Sequence, residues 1–228
     1  MIALCASYLL ILAVFMLITW ATHARGWGLV AGLFALGLGV GSFNLLIEAV
    51  AFGVLSWQEA AKSFAVQTAV VAALAALAML AARLFPPALN APTLRFDAPR
   101  LIAIVLAYEA LYITAGVAVF PYVSDYYAAH QIPHIGEVMA LQAARACIFA
   151  AVAAVLLRGG LRYASLVLGV AFSVVGGLAP LLPDNPFMPP QLRALHAIEV
   201  GVSNFLFGAI VGWLLTRKPK PASAQAAP

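Results

Sequence analysis

Charged residues are scarce in this sequence: Asp, Glu, Lys and Arg together make up 9% of its 228 residues, whereas 65% are hydrophobic. A soluble globular domain is about 25% charged and about 45–50% apolar. Because one soluble domain cannot bury so large an apolar excess, lipid must be the solvent. The net charge of +4 does not indicate nucleic-acid binding, because the basic residues stand singly or in pairs at the ends of apolar runs.

Lysine is rarer still and occurs only as Lys62, Lys218 and Lys220. The last apolar run therefore has no lysine for a retinal Schiff base. Gly-x-Ser-x-Gly, His-Glu-x-x-His and a glycine-rich phosphate loop followed by lysine are absent as well. Only one histidine, His196, lies within an apolar run, which argues against a pair of helix-borne haem ligands. We predict no cofactor.

Cysteine occurs twice, as Cys5 and Cys147, each inside an apolar run. We interpret both as small core residues rather than as a disulfide pair. No Lys or Arg precedes Arg25, so the positive n-region of a cleaved signal peptide is missing. The first apolar run has about twenty residues, a full spanning length, and we interpret it as a retained helix.

Apolar runs of spanning length recur about seven times. Because lipid offers the backbone no hydrogen-bond partner and the alternation of a membrane barrel is missing, we expect helices. The predicted fold is an all-α integral membrane protein, with one bundle over residues 1–217 and a disordered cytoplasmic tail over 218–228. The predicted spans are Ile2–Trp20, Trp27–Leu55, Phe64–Phe85, Leu101–Val123, Glu137–Leu157, Leu161–Leu182 and Leu192–Thr216.

The basic residues alternate along the connections between these spans, and the positive side of a membrane protein is cytoplasmic. We therefore expect a multi-pass protein of the inner membrane, with its N-terminus outside and its C-terminus inside. The residues that follow the odd-numbered spans are Arg25, Arg83, Arg95, Arg100, Arg158, Arg162, Arg217, Lys218 and Lys220.

A faint internal repeat relates the two ends of the chain. Arg25-Gly-Trp-Gly-Leu opens the second span and Arg162-Tyr-Ala-Ser-Leu opens the sixth, and each leads into a glycine-rich run. The similarity is either a chance likeness of apolar segments or the sign of a 3+1+3 parallel repeat in which the fourth span joins two groups of three. The layout resembles, in topology only, the parallel-repeat transporters such as the SWEET sugar transporters, whose proline–glutamine signature is absent here.

Polar residues inside membrane spans are energetically expensive and mark candidate sites. The second and seventh spans each carry a row of them near the outer side, at helical spacing and together with small residues that permit close helix packing. The two rows are Gly37, Gly41, Asn44 and Glu48 in the second span, and His196, Glu199, Ser203, Asn204, Gly208 and Gly212 in the seventh.

The fifth span adds Gln142 and Arg145, and a guanidinium at mid-depth needs a carboxylate or a water-filled cavity. Glu48 and Glu199 lie at similar depth, so both are candidate partners. We predict an outer-half cluster of Glu48, Arg145 and Glu199, which either forms a functional pocket or serves as an ion pair that fixes helix packing. Hydrogen bonds to the cluster would come from Asn44, Asn204 and His196.

The fourth span carries Glu109 near mid-membrane, with Tyr108 and Tyr112 beside it. Glu109 would either extend a polar path inward from the outer cluster, as a proton or ion route requires, or remain protonated and bonded to a neighbour.

The outer loop holds His130 and His134, which are spaced four apart. On a helix such a pair could share a metal ion, but Pro133 between them interrupts the helix. We therefore predict no metal site and keep the two histidines only as weak candidates.

Three functions are compatible with these features. The leading hypothesis is a transporter for a small polar or ionic solute, and coupling to protons would run through Glu48, Glu109 or Glu199. The alternatives are a membrane-embedded enzyme acting on a lipid-like substrate, and an accessory or assembly subunit of a membrane complex. The expected partners are the lipid bilayer and a small solute or ion, without nucleic acid, and the glycine-rich faces would permit an oligomer.

Overall fold

The computed structural model describes residues 1–128, 133–184 and 188–217. Within these ranges seven helices are long and apolar enough to cross a membrane, so the prediction of an all-helical chain with seven such helices is confirmed. The predicted tail over 218–228 lies outside the described residues. The helices are α1 (Ile2–Ala21), α2 (Gly26–Ala51), α3 (Trp57–Leu84), α4 (Ala98–Ala128), α5 (Ile135–Arg158), α6 (Ala164–Leu181) and α7 (Pro190–Leu215).

Helix α3 begins seven residues before its predicted start at Phe64, at Trp57. Its first turn is fixed by a capping box, in which the Ser56 hydroxyl accepts from the Glu59 backbone N–H and the Glu59 carboxylate accepts from the Ser56 backbone N–H. These two bonds satisfy donors that a helix end otherwise leaves unpaired. Glu59 therefore belongs to the helix rather than to the preceding loop.

Two helices contain a π-helical stretch, over Leu36–Phe43 in α2 and over Val174–Leu178 in α6. A π turn holds an extra residue, so it rotates the side chains that follow. Gly37 consequently packs against Phe15 and Val71, whereas Gly41 packs against Val175. Gly37 and Gly41 thus face different helices, and the prediction that Gly37, Gly41, Asn44 and Glu48 share one stripe is wrong for this reason.

Helices α6 and α7 pack backbone against backbone. A methyl group on Gly208 would overlap the backbone of Leu168, and one on Gly212 would overlap the backbone of Ser165. Small residues at this spacing allow two membrane helices to approach until their backbones touch. The small-residue pair of α7 thus serves a contact within the chain, and an oligomer through glycine-rich faces stays a prediction.

The connections that follow α1, α3 and α5 lie at one end of the bundle together with the end of α7. A two-residue antiparallel pair joins strand β1 (Thr93–Leu94) to strand β2 (Thr216–Arg217), and a β-bridge joins Thr22 to Leu161. This end is named the arginine-rich end, because its connections and the helix turns next to them hold Arg25, Arg83, Arg95, Arg100, Arg158, Arg162 and Arg217.

The two cysteines lie far from each other in sequence and both are free and exposed on the surface of the bundle. Their interpretation as core residues is therefore wrong. A thiol is small and only weakly polar, so a lipid-facing position suits it as well as a core position does.

Candidate functional site

A cavity of about 210 Å³ lies among α2, α4, α5, α6 and α7. It sits in the half of the bundle away from the arginine-rich end, where α2 is finishing and α7 is beginning. Most of its wall is apolar, and the polar side chains in it are Glu48, Tyr108, Tyr112, Arg145, His196, Glu199, Ser203 and Asn204. Eight polar side chains from four helices thus face one cavity. Cavities lined in this way usually hold water or a ligand.

Arg145 forms the first charged group of the wall and is buried, with 4% of its surface exposed. Its Nη1 donates to the carboxylate of Glu48 on α2 in an ion pair and also to Gln142 Oε1 at 2.9 Å. Its Nε donates to Asn44 Oδ1 at 3.1 Å. Gln142 Nε2 completes the ring by donating to Glu48 at 3.4 Å. The carboxylate partner of Arg145 is therefore Glu48, not Glu199.

Tyr108 of α4 forms the floor under this guanidinium. The Arg145 Cζ atom lies 5.8 Å from the centre of its ring, a cation–π distance. The ring also packs on Phe149 and Phe207, with centroid separations of 5.4 and 4.7 Å. Since these aromatic side chains exclude water, the charge of Arg145 is held among apolar rings on one side and polar groups on the other.

His196 and Glu199 form the second ionisable group of the wall, and both stand on α7. His196 Nδ1 lies 2.8 Å from Glu199 Oε2, and the bond is an i,i+3 contact within the early turns of α7. Both residues are half-buried and both line the cavity. The cavity therefore holds a histidine–carboxylate pair besides the arginine–carboxylate pair.

Three further predicted residues line the same space. Asn204 donates through Nδ2 to the carbonyl of Gly176 at 3.3 Å, which ties α7 to the π-helical stretch of α6. Ser203 donates to the Val200 carbonyl of its own helix at 3.4 Å. Tyr112 lines the wall contributed by α4.

Three of the predicted residues, Asn44, Gln142 and Glu109, stand apart from the cavity wall. Asn44 is fully buried behind Arg145, and its Nδ2 has no hydrogen-bond partner within the described part of the chain. Glu109 is half-buried on α4, is not part of the lining, and makes no hydrogen bond or ion pair with the residues described here. A polar path through Glu109 stays a prediction.

His134 acts as the N-cap of α5: its Nδ1 accepts from the Gly136 backbone N–H at 3.2 Å. His130 lies outside the described residues, so the weak metal candidate formed by these two histidines is not tested. Over the described ranges no three His, Cys, Asp or Glu side chains are grouped as metal ligands.

The part of the wall that comes from α6 was not predicted from the sequence. Gly176, Gly177 and Pro180 line the cavity there, and the buried Ser173 donates to the carbonyl of Gly201 at 2.7 Å. The adjacent glycines of Val-Val-Gly-Gly-Leu were the available signal, because paired glycines inside an apolar helix mark a bend or a close backbone contact.

The fold and the cavity define a class: an all-helical chain with seven helices fit to span a membrane and a polar cavity among five of them. Comparison with known proteins adds no narrower assignment, since no protein-family model, curated protein or solved structure matches the chain.

Proposed function

We propose that the chain is a transporter for a small polar solute or an ion, and that the cavity is its binding site. The observation that carries this proposal is the meeting of two ionisable pairs, Arg145 with Glu48 and His196 with Glu199, in one cavity among helices long and apolar enough to span a membrane. Ionisable groups inside a membrane bundle usually mark the route of a substrate, ion or proton.

The two pairs suit different parts of this task. Glu48 neutralises Arg145, and the side-chain oxygens of Gln142 and Asn44 accept further hydrogen bonds from its guanidinium. This wall is therefore a fixed polar surface. His196 and Glu199 have only each other as side-chain partners within the described chain, and both can bind a proton. Of the two pairs in the cavity, they are therefore better suited to couple proton binding to the movement of a solute.

The size of the cavity limits the solute. Its volume of about 210 Å³ is below the range of about 300–1,000 Å³ that is usual for drug-sized ligands. A metabolite of a few heavy atoms or a hydrated ion fits this volume, which favours a small solute over a lipid-like substrate.

The two π-helical stretches support the proposal that the helices around the binding site rearrange during transport. They pack against each other beside the cavity, through Gly41 on Val175 and Gly176 on Val40. π-Helical turns are rare and concentrate at functional sites. Transport requires the bundle to open to each side in turn, and irregular helix segments next to the binding site are where such proteins rearrange.

We further propose an inner-membrane protein with the arginine-rich end in the cytoplasm and the cavity nearer the outside. A 3+1+3 parallel repeat is supported by the second helix of each group of three. In α2 the π-helical stretch follows ten α-helical residues, Gly26–Ala35, and in α6 it follows ten, Ala164–Ser173.

Cysteine labelling in a Cys5→Ala/Cys147→Ala background tests the proposed transport. Ser203→Cys places a thiol in the cavity wall, and Val202→Cys places the matched thiol on the exposed, lipid-facing side of the same helix. A membrane-impermeant methanethiosulfonate should label position 203 from the outside in spheroplasts and from the cytoplasmic side in inverted vesicles. It should leave position 202 unlabelled from both sides.

Labelling of position 203 from one side only would contradict transport and favour the membrane enzyme. Absence of labelling from both sides would indicate a dry structural ion pair and favour the accessory subunit.

A further inference from the structure

A second concave surface lies at the arginine-rich end, on the far side of the bundle from the cavity. It is a groove of about 950 Å³ between the loop after α3, the start of α6 and the end of α7. Four of its residues are large, hydrophobic and exposed: Trp213 at 72%, Leu89 at 69%, Leu166 at 58% and Tyr163 at 57%. Trp213 and Leu166 stand on spanning helices, so this part of the groove faces acyl chains.

Arg162 is the charged residue of the groove. Its Nε atom is buried and has no hydrogen-bond partner within the described chain, and no carboxylate of the described residues forms an ion pair with it. Its Cζ atom lies 4.9 Å from the ring centres of both Trp20 and Tyr163, which are stacked on each other at 6.1 Å. The rings hold the guanidinium in place but leave its charge uncompensated.

The other arginines at this end are differently engaged where the structure gives them partners. Arg25 donates to the carbonyls of Thr22, Ala24 and Phe85, and it thereby fastens the loops. Arg100 pairs with Asp97, the one acidic residue among the connections at this end. The arginine-rich end therefore carries a strong excess of positive charge, and within the groove that charge is the guanidinium of Arg162.

The rest of the groove supplies hydrogen-bond donors next to this charge. Asn90 stands on its rim with an exposed amide side chain. Ser165, in the first turn of α6, lines it as well, and no side chain caps the backbone N–H groups of this turn. A cation, an amide and unpaired N–H groups beside an apolar slot match a phosphate that is attached to acyl chains.

We propose that this groove binds an anionic phospholipid. The phosphate lies against Arg162, Asn90 and the first turn of α6, and an acyl chain lies along Leu166 and Trp213. The occupant is a lipid rather than a soluble phosphate, because most of the groove's surface is apolar and opens toward the membrane. The proposal is independent of the proposed transport, since it shares no residue with the cavity.

Native mass spectrometry of the detergent-purified full-length chain tests the proposal, with phosphatidylglycerol and phosphatidylcholine as probes. Arg162→Gln should weaken the binding of the first phosphatidylglycerol about fivefold and leave phosphatidylcholine unchanged, since one basic residue contributes about that much near an anionic surface. The matched control, Arg158→Gln, removes an exposed arginine of the same end that is not in the groove, and it should change neither.

A second variant separates binding from folding. Ser165→Asp adds a negative charge to the groove at a helix N-terminus, where a carboxylate stabilises the helix. It should leave thermal stability unchanged or raised and should still weaken phosphatidylglycerol binding about tenfold, because the phosphate is repelled.

Equal effects of Arg162→Gln and Arg158→Gln would overturn the proposal. The lipid would then be attracted by the overall positive charge of this end and not by a specific site in the groove. So would competition by glycerol phosphate at the same concentration as the lipid, which would identify a soluble anion as the occupant. Loss of phosphatidylcholine binding in Ser165→Asp to the same degree as phosphatidylglycerol would overturn it as well.

Discussion

The two charged pairs of the cavity differ in how many elements hold them. Arg145 and Glu48 come from two helices, and Asn44 and Gln142 complete their hydrogen bonding, so that only 5% of the Arg145 side chain is exposed. His196 and Glu199 are neighbours on one helix, and 32% and 16% of their side chains are exposed. The first pair therefore joins two helices, whereas the second lies on a single helix.

The largest expected effect is the loss of one partner of the cross-helix pair. Glu48→Ala leaves the buried guanidinium of Arg145 without its carboxylate, which should cost about 3–5 kcal/mol of unfolding free energy. Unfolding by SDS titration in mixed micelles measures this loss. Glu109→Ala is the matched control, because Glu109 has no polar partner among the described residues, and its cost should be well below that of Glu48→Ala.

A double-mutant cycle that combines Glu48→Ala with Arg145→Ala measures the interaction between the two side chains directly. Since the double variant removes both charges, its loss should fall short of the sum of the two single losses by at least about 1 kcal/mol. Simple additivity would mean that the pair does not join α2 to α5, and the contrast between the two walls would then disappear.

The next effect concerns how the wall with His196 and Glu199 is held in place. Its helix, α7, is fixed by backbone contact with α6 rather than by charge, and Gly208→Ala would force these backbones apart. We expect a loss of about 1–3 kcal/mol, the usual cost of overpacking. The measurement is again SDS unfolding.

Gly116→Ala is the control for this change, because open space surrounds Gly116 on α4. Alanine is the better helix former, so this variant should be neutral or gain up to about 1 kcal/mol. Equal losses at positions 208 and 116 would contradict the close contact between α6 and α7.

The smallest expected effect is at the histidine–carboxylate pair. Glu199→Gln keeps the shape of the side chain and removes a charge that one neighbour on the same helix supports, so the stability should change by less than about 1 kcal/mol. The measurement compares the free energies of unfolding of Glu199→Gln and Glu48→Gln under the same conditions. A loss as large as that of Glu48→Gln would show that both pairs are structural and would remove the proposed division of labour.

The sequence predicts which charged residues line the cavity better than it predicts which of them contact each other. Arg145, Glu48 and Glu199 are recognisable because each carries charge in an apolar run, and the structure brings all three to one space. Which carboxylate pairs with Arg145 depends on helix rotation, and the π-helical turn before Asn44 sets that rotation in α2. A hydrophobic pattern contains no signal for a single inserted residue, so the choice of Glu48 could not be predicted.

The start of α3 shows a limit of another kind. Ser56 and Glu59 have the spacing of a capping box, but the polar residues Glu59 and Lys62 resemble a loop when only hydropathy is considered. The wall from α6 was missed because glycine carries no polar group that would draw attention to Gly176 and Gly177.

Seven apolar runs, their helical form and the grouping of arginines between them follow from the sequence alone, because lipid requires each spanning segment to satisfy its own backbone hydrogen bonds. The pairing of Arg145 with Glu48, the contact of α6 with α7 and the shape of the cavity were decided only by the tertiary structure. These depend on how neighbouring helices rotate and approach, and that is set by the fit of side chains such as Val175 against Gly41 rather than by the hydropathy of any one segment.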